Sequence, residues 1–134
     1  MPAGNFTLEE ARAALRLIRH TVIELQRTQV ELRTTKNALN ALNRLHLNNG
    51  VVGERRLRDL NREQRRLGED AQRHIAVITA AGAEIKGIDE GLIDFPTTIH
   101  GALAYWCWRA GEDEIDWWHP RTSGFSDRRP VTEA

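Results

Sequence analysis

A chain of 134 residues with 19 Lys/Arg, 19 Asp/Glu and one cysteine amounts to one domain or two small modules, and it excludes an internal disulfide framework. The zero net charge is unevenly spread: residues 1–81 hold 14 basic and 9 acidic side chains, whereas residues 82–134 hold 5 and 10. Such asymmetry favours packing of the two halves on each other, within or between chains. No apolar run approaches the ~20 residues of a membrane span, and MPAGNFTLEE lacks the basic start and apolar core of a signal peptide. A cytoplasmic protein is therefore expected, in keeping with its single cysteine.

In chain order, Thr7 is an N-cap residue with Glu10 three places on, the spacing of a capping box. Beyond it, apolar residues recur every seven positions at Ala11, Ile18, Leu25, Leu32 and Leu39. A second row, Leu8, Leu15 and Val22, turns polar at Gln29 and Lys36, and the stripe continues through Leu42 and Leu45. Leu-rich heptads with charges elsewhere predict a coiled-coil-like helix of some 40 residues, roughly 60 Å long. Asn48-Asn49-Gly50 supplies a left-handed stop and Val51-Val52-Gly53 a short connection. A second helix is predicted from Glu54 to about Ala81, with the apolar row Leu57, Leu60, Leu67, Ala71, Ile75 and Ile78, interrupted by Gln64 and His74. Its outer face interleaves seven arginines with Asp59, Glu63, Glu69 and Asp70. A short connection makes the helices antiparallel neighbours. The first is longer, so its opening turns, Leu8 to Ile18, overhang and should receive the module after Ala81.

Beyond Ala81 the chain changes character. Glu84–Lys86 reads as a short strand, Gly87 and Gly91 as turns, Leu92–Phe95 as a strand halted by Pro96, and Thr97–Gly101 as a loop. The stretch Tyr105–His119, YWCWRAGEDEIDWWH, contains all four tryptophans and Cys107. Strands Leu103–Arg109 and Glu114–His119 are expected around a four-residue loop, Ala110–Asp113. If Arg109 pairs with Glu114, Cys107 faces Asp116 and points away from His119. A one-residue slip, or a bulge at Gly111, would put Cys107 and His119 on one face. After Pro120 the chain turns polar, with Phe125 as an anchor.

The expected architecture is α+β. Residues 1–81 form a long antiparallel helical hairpin, residues 82–125 a small Trp-rich antiparallel sheet packed at its open end, and residues 126–134 a flexible tail. GLIDFP at 91–96, WCWRAGEDEI at 106–115, WWH at 117–119, GF at 124–125 with Arg128, and FTLEEARAAL at 6–15 resemble an uncharacterised bacterial family, domain of unknown function 2203. The resemblance covers nearly the whole chain and implies a small, cytoplasmic, helix-rich protein with no established activity.

Three functions compete. The first is a non-enzymatic, homodimeric accessory subunit that presents an acidic β module to a protein partner. Its contact residues would be Trp106, Trp108, Trp117, Trp118, Phe125 and Arg109. Aromatic anchors suit such contacts, adjacent tryptophans on a strand face opposite ways, and the polar seam positions leave room for a second hairpin. This reading expects no cofactor. The second is a metal or small-ligand site, possibly enzymatic, built from Cys107, His119, Glu112, Glu114 and Asp94, whose S, N and O donors suit borderline metals. Against it, no CxxC or HxxxH spacing is present, and a lone Cys between tryptophans packs well as a small hydrophobe. The third is phosphate binding by the arginine face of helix two, opposed by its interleaved acids and the lack of aromatics to stack bases. Neither a nucleophile motif nor a phosphate loop occurs.

Overall fold

The computed structural model of the chain describes residues 5–49 and 53–134. Helix α1 spans Leu8–Asn49 and α2 spans Glu54–Ala80. The expected stop at Gly50 and the Val51-Val52 connection lie outside the described residues. The capping box closes as read: Thr7 N donates to Glu10 Oε1 at 2.9 Å, and Glu10 N to Thr7 Oγ1 at 3.1 Å. Ala11, Leu15, Ile18, Val22, Leu25 and Leu39 of α1 are buried, as are Leu60, Leu67, Ala71 and Ile78 of α2. The seam's buried polar residues are Thr28 and Thr35, one position before the Gln29 and Lys36 expected there. On the outer face of α2, Arg66 joins Glu63 and Asp70, and Arg73 joins Asp70, an acid-laced surface. No helix among the described residues is long and apolar enough to cross a membrane.

Ala81-Gly82 ends the hairpin. Gly82 has φ +93°, and a Cβ there would lie 2.5 Å from the Phe6 ring, so both backbone and space require glycine. Five antiparallel strands come next, in meander order: β1 Glu84–Gly87, β2 Leu92–Ile99, β3 Ala102–Arg109, β4 Trp117–Pro120 and β5 Arg129–Pro130. One face of the sheet, with Ile93, Phe95, Ala104, Trp106, Trp108 and Trp118, forms a single core with Phe6, Ala11, Leu15, Ile18, Val22 and Leu25. Leu8 packs at its edge. The sheet thus sits on the opening turns of α1, where the overhang argument put it.

Four details differ from expectation. Strand β2 does not halt at Pro96 but runs to Ile99, because β1 pairs no further than Asp94 and leaves that edge open. Pro96 needs no donor there, and its carbonyl accepts from Phe6 N at 2.8 Å. The expected loop at Thr97–Gly101 shrinks to His100-Gly101, with φ 53° and 78°, the positive pair of a two-residue type I′ hairpin. Segment 126–134, expected as a tail, supplies β5, and Val131 packs against the core.

The fourth difference is the register. Cys107 pairs with Trp117, Trp106 with Trp118 and Tyr105 with His119, one residue off the Arg109–Glu114 alignment. Glu112 makes the turn: its carboxylate accepts from Arg109 N at 2.8 Å, and its carbonyl accepts from Trp108 Nε1 at 2.9 Å. Residues 113–116 then leave the sheet for α1. Ile115 is fully buried, Arg12 donates to its carbonyl at 2.7 Å, and Arg19 donates to the carbonyl of Asp113.

Candidate metal and ligand site

The shifted register decides what shares the outer face. Side chains alternate across a strand, so Asp94, Tyr105, Cys107, Trp117 and His119 all lie opposite the core face. Among the described residues, Asp94, Cys107 and His119 form one convergent group of His, Cys and carboxylate donors, with one ligand atom of each within 4.8 Å of the others. All three are buried, at 1%, 0% and 3% exposure.

Hydrogen bonds orient the group. His119 Nδ1 lies 2.8 Å from the carbonyl of Pro120, which can only accept, so Nδ1 bears the proton. Nε2 faces Asp94 Oδ2 at 2.9 Å, a contact that is a hydrogen bond when the ring carries its second proton and is an imidazolium. Asp94 Oδ1 is buried with no hydrogen-bond partner. Burial works against the charged imidazolium. The hydrogen bond to Asp94, the Pro120 carbonyl and the charge of Asp94 outweigh it and raise the His119 pKa, with Lys86 opposing. Burial first, then the negative charge of Asp94, pushes the Cys107 thiol far above its ordinary value, so without a metal it is a neutral, unreactive group.

Asp94 and His119 open onto a cavity of about 230 Å³ whose wall includes Lys86, Leu92, Tyr105, Arg121 and Phe125. Tyr105 OH donates to Glu84 at 3.0 Å, and Lys86 pairs with the same carboxylate at 3.0 Å. The Lys86 ammonium and the Arg121 guanidinium lie 4.4 and 4.8 Å from the Tyr105 ring centre. A second cavity of about 240 Å³, bounded by Glu90, Leu92, Arg109 and Phe125, adjoins it across Phe125. The larger groove of about 690 Å³ along α1, near Ile23, Val30 and Asp89, is remote from this chemistry.

The other expected donors serve elsewhere. Glu112 forms a two-pronged ion pair with Arg128, at 2.7 and 2.9 Å, and Glu114 lies 3.9 Å from Arg12 and 3.8 Å from Arg16 on α1. Of the expected contact residues, Trp106, Trp108 and Trp118 are in the core, the first two donating to the carbonyls of Phe6 and Glu112. Trp117 is half-buried beneath the Arg128 guanidinium, 5.2 Å from its ring centre. Phe125 and Arg109 remain exposed, with the guanidinium 5.5 Å from the ring centre. Tyr105 and Arg121 were not singled out by sequence. Spacing offered the signal, because each stands two residues from a flagged donor, Cys107 and His119, and therefore shares its side of the sheet.

The fold and site define an α+β protein: a two-helix hairpin that bears a five-stranded sheet with a buried Asp–Cys–His group on its outer face. The chain belongs to the family of uncharacterized conserved proteins DUF2203, whose family model matches residues 5–131. No curated protein and no solved structure matches it.

Proposed function

We propose that this protein binds a transition metal ion, zinc foremost, through Asp94, the Cys107 thiolate and His119 Nε2. The observation that carries this reading is the convergence of three different donor types in one buried group while one carboxylate oxygen, Asp94 Oδ1, has no partner. Tetrahedral zinc spaces such donors about 3.3–3.6 Å apart, so donors that lie within 4.8 Å of one another would draw together around an ion. His119 also has the outer partner usual for a metal-bound imidazole, a backbone carbonyl on its second nitrogen. Three protein ligands leave a coordination position, the arrangement of catalytic zinc sites rather than structural ones. Because Asp94 and His119 line the cavity, that position would face it.

Protein purified without a polyhistidine tag is expected to retain about one equivalent of metal by elemental analysis. Cobalt substitution should give a thiolate-to-metal absorption band that Cys107→Ser abolishes. Less than ~0.1 equivalent after zinc reconstitution would end the reading.

A second reading, a homodimeric adaptor, is favoured by exposed apolar side chains: Leu17 at 81% and Val30 at 56% on α1, and Phe125 at 39% beyond β4. It expects a dimer by light scattering at micromolar concentration and a protein partner that Phe125→Ala releases. A monomer whose pull-down is unchanged by that substitution counts against it.

A further inference from the structure

The cavity above Asp94 and His119 has a charged wall that the metal reading does not use. Arg121 is fixed by its backbone, whose N–H donates to the carbonyl of Leu103 at 3.1 Å. Its guanidinium makes no ion pair or hydrogen bond among the described residues; its contact is the face of Tyr105. Lys86 reaches the same ring, so two cations crowd one aromatic side chain.

The charges facing this space nearly cancel. Lys86 is balanced by Glu84 and His119 by Asp94, and nearby Asp127 is paired with Arg129 at 3.1 Å. Arg121 shares the field of Glu84 with Lys86 but has no ion pair of its own among the described residues. A guanidinium at the mouth of a concave site, with its planar donor fork uncommitted, is the residue type best suited to carboxylate or phosphate oxygens. Leu92 and Phe125 add apolar surface to the lining of the cavity. At about 230 Å³, it is smaller than the roughly 300–1,000 Å³ typical of sites for drug-sized ligands.

We infer that this cavity is a binding site for a small anion, a carboxylate or phosphate monoester of few heavy atoms, held by Arg121 and Lys86 with its apolar part against Leu92 and Phe125. The site shares its cavity with the proposed metal and stands without it, because its charge comes from residues that do not ligate metal. With a metal present, the anion would lie beside the open coordination position.

The test is calorimetric titration of the full chain, first treated with chelator and dialysed, then loaded with zinc. Inorganic phosphate, isobutyrate and phosphoglycolate serve as probes. At least one probe is expected to bind the metal-free protein, and Arg121→Gln should weaken it about 10- to 100-fold, the effect of losing a charge-assisted contact. Arg121 is exposed, so this variant should keep the wild-type circular dichroism. Arg73→Gln on α2 should change nothing, which separates a site from general electrostatics. Phosphate-only or carboxylate-only binding each supports the site and identifies the headgroup. Tighter binding after zinc loading adds direct coordination, whereas equal binding supports the anion site alone even if the metal reading fails. No binding of any probe at ~10 mM, or binding that Arg121→Gln leaves unchanged, overturns the inference.

Discussion

Replacing His119 with alanine in metal-free protein is expected to destabilise the fold by about 3–5 kcal/mol, because it strands a buried carboxylate. Asp94 is 1% exposed, and the bond to His119 Nε2 at 2.9 Å is its side chain's one hydrogen bond among the described residues. The other oxygen already lacks a partner. Removing the imidazole leaves the carboxylate with the weak S–H donor of Cys107 beside it, and the desolvation cost is no longer offset by Coulomb attraction. Removing both partners is a different perturbation. The double variant Asp94→Leu with His119→Phe should recover most of the loss, as apolar replacements of buried ion pairs often do. Chemical denaturation with chelator present measures both, and a single-variant cost below ~1 kcal/mol would mean that the carboxylate is not a stranded charge. The same pair sets a pH dependence. Because His119 is raised in the folded state above its ordinary 6.5, its contribution is whole below pH 6.5 and is lost as pH rises through the folded value. His119→Ala should remove that alkaline-side decline from the stability profile.

The helical half was legible because its determinants are local. Thr7 and Glu10 are three residues apart, and their two hydrogen bonds form wherever that turn forms. The heptad row buries whichever face meets α2. Even the docking of the sheet came from counting, since two antiparallel helices of unequal length leave one end bare. The sheet resisted for the opposite reason. Pro96 reads as a strand end until one knows that no strand pairs with it on its donor side, where Phe6 donates to its carbonyl and asks for no N–H in return. Strand β5 is two residues long, and a polar stretch held by Val131 against the core and Arg129 over Trp118 has no periodicity to announce it. The alignment of β3 with β4 is set by contacts about a hundred residues away in sequence, where Arg12 takes the carbonyl of Ile115. That one residue of register is what joins Cys107 to His119. The donors were therefore readable by type, and their meeting was not. Glu112 shows the converse: it belonged to the donor set by type, but a guanidinium sixteen residues later holds it in another role.

The tryptophans give the sharpest mutational test of that register. Trp108 is 1% exposed, heads the fully buried side chains by volume, and donates its indole N–H within the 109–112 turn. Trp108→Ala is expected to cost about 3–5 kcal/mol, the range for deleting a buried aromatic and leaving a cavity. Small domains have only about 5–15 kcal/mol in total, so this variant should lie near its unfolding midpoint at modest denaturant. Trp117 and Trp118 are adjacent in sequence but not in consequence. Trp118 pairs with Trp106 on the core face, whereas Trp117 pairs with Cys107 on the outer face under Arg128. Trp117→Ala should forfeit a cation–π contact and partial burial, about 1–2 kcal/mol, with Trp118→Ala distinctly worse. The alignment with Arg109 opposite Glu114 makes the opposite forecast, because it pairs Trp106 with Trp117 and turns Trp118 outward. Urea denaturation monitored by far-ultraviolet circular dichroism at the helical band, a signal dominated by the two long helices, ranks the three variants. If Trp117→Ala proves as costly as Trp118→Ala, the outer face loses its alignment, and Asp94, Cys107 and His119 no longer meet.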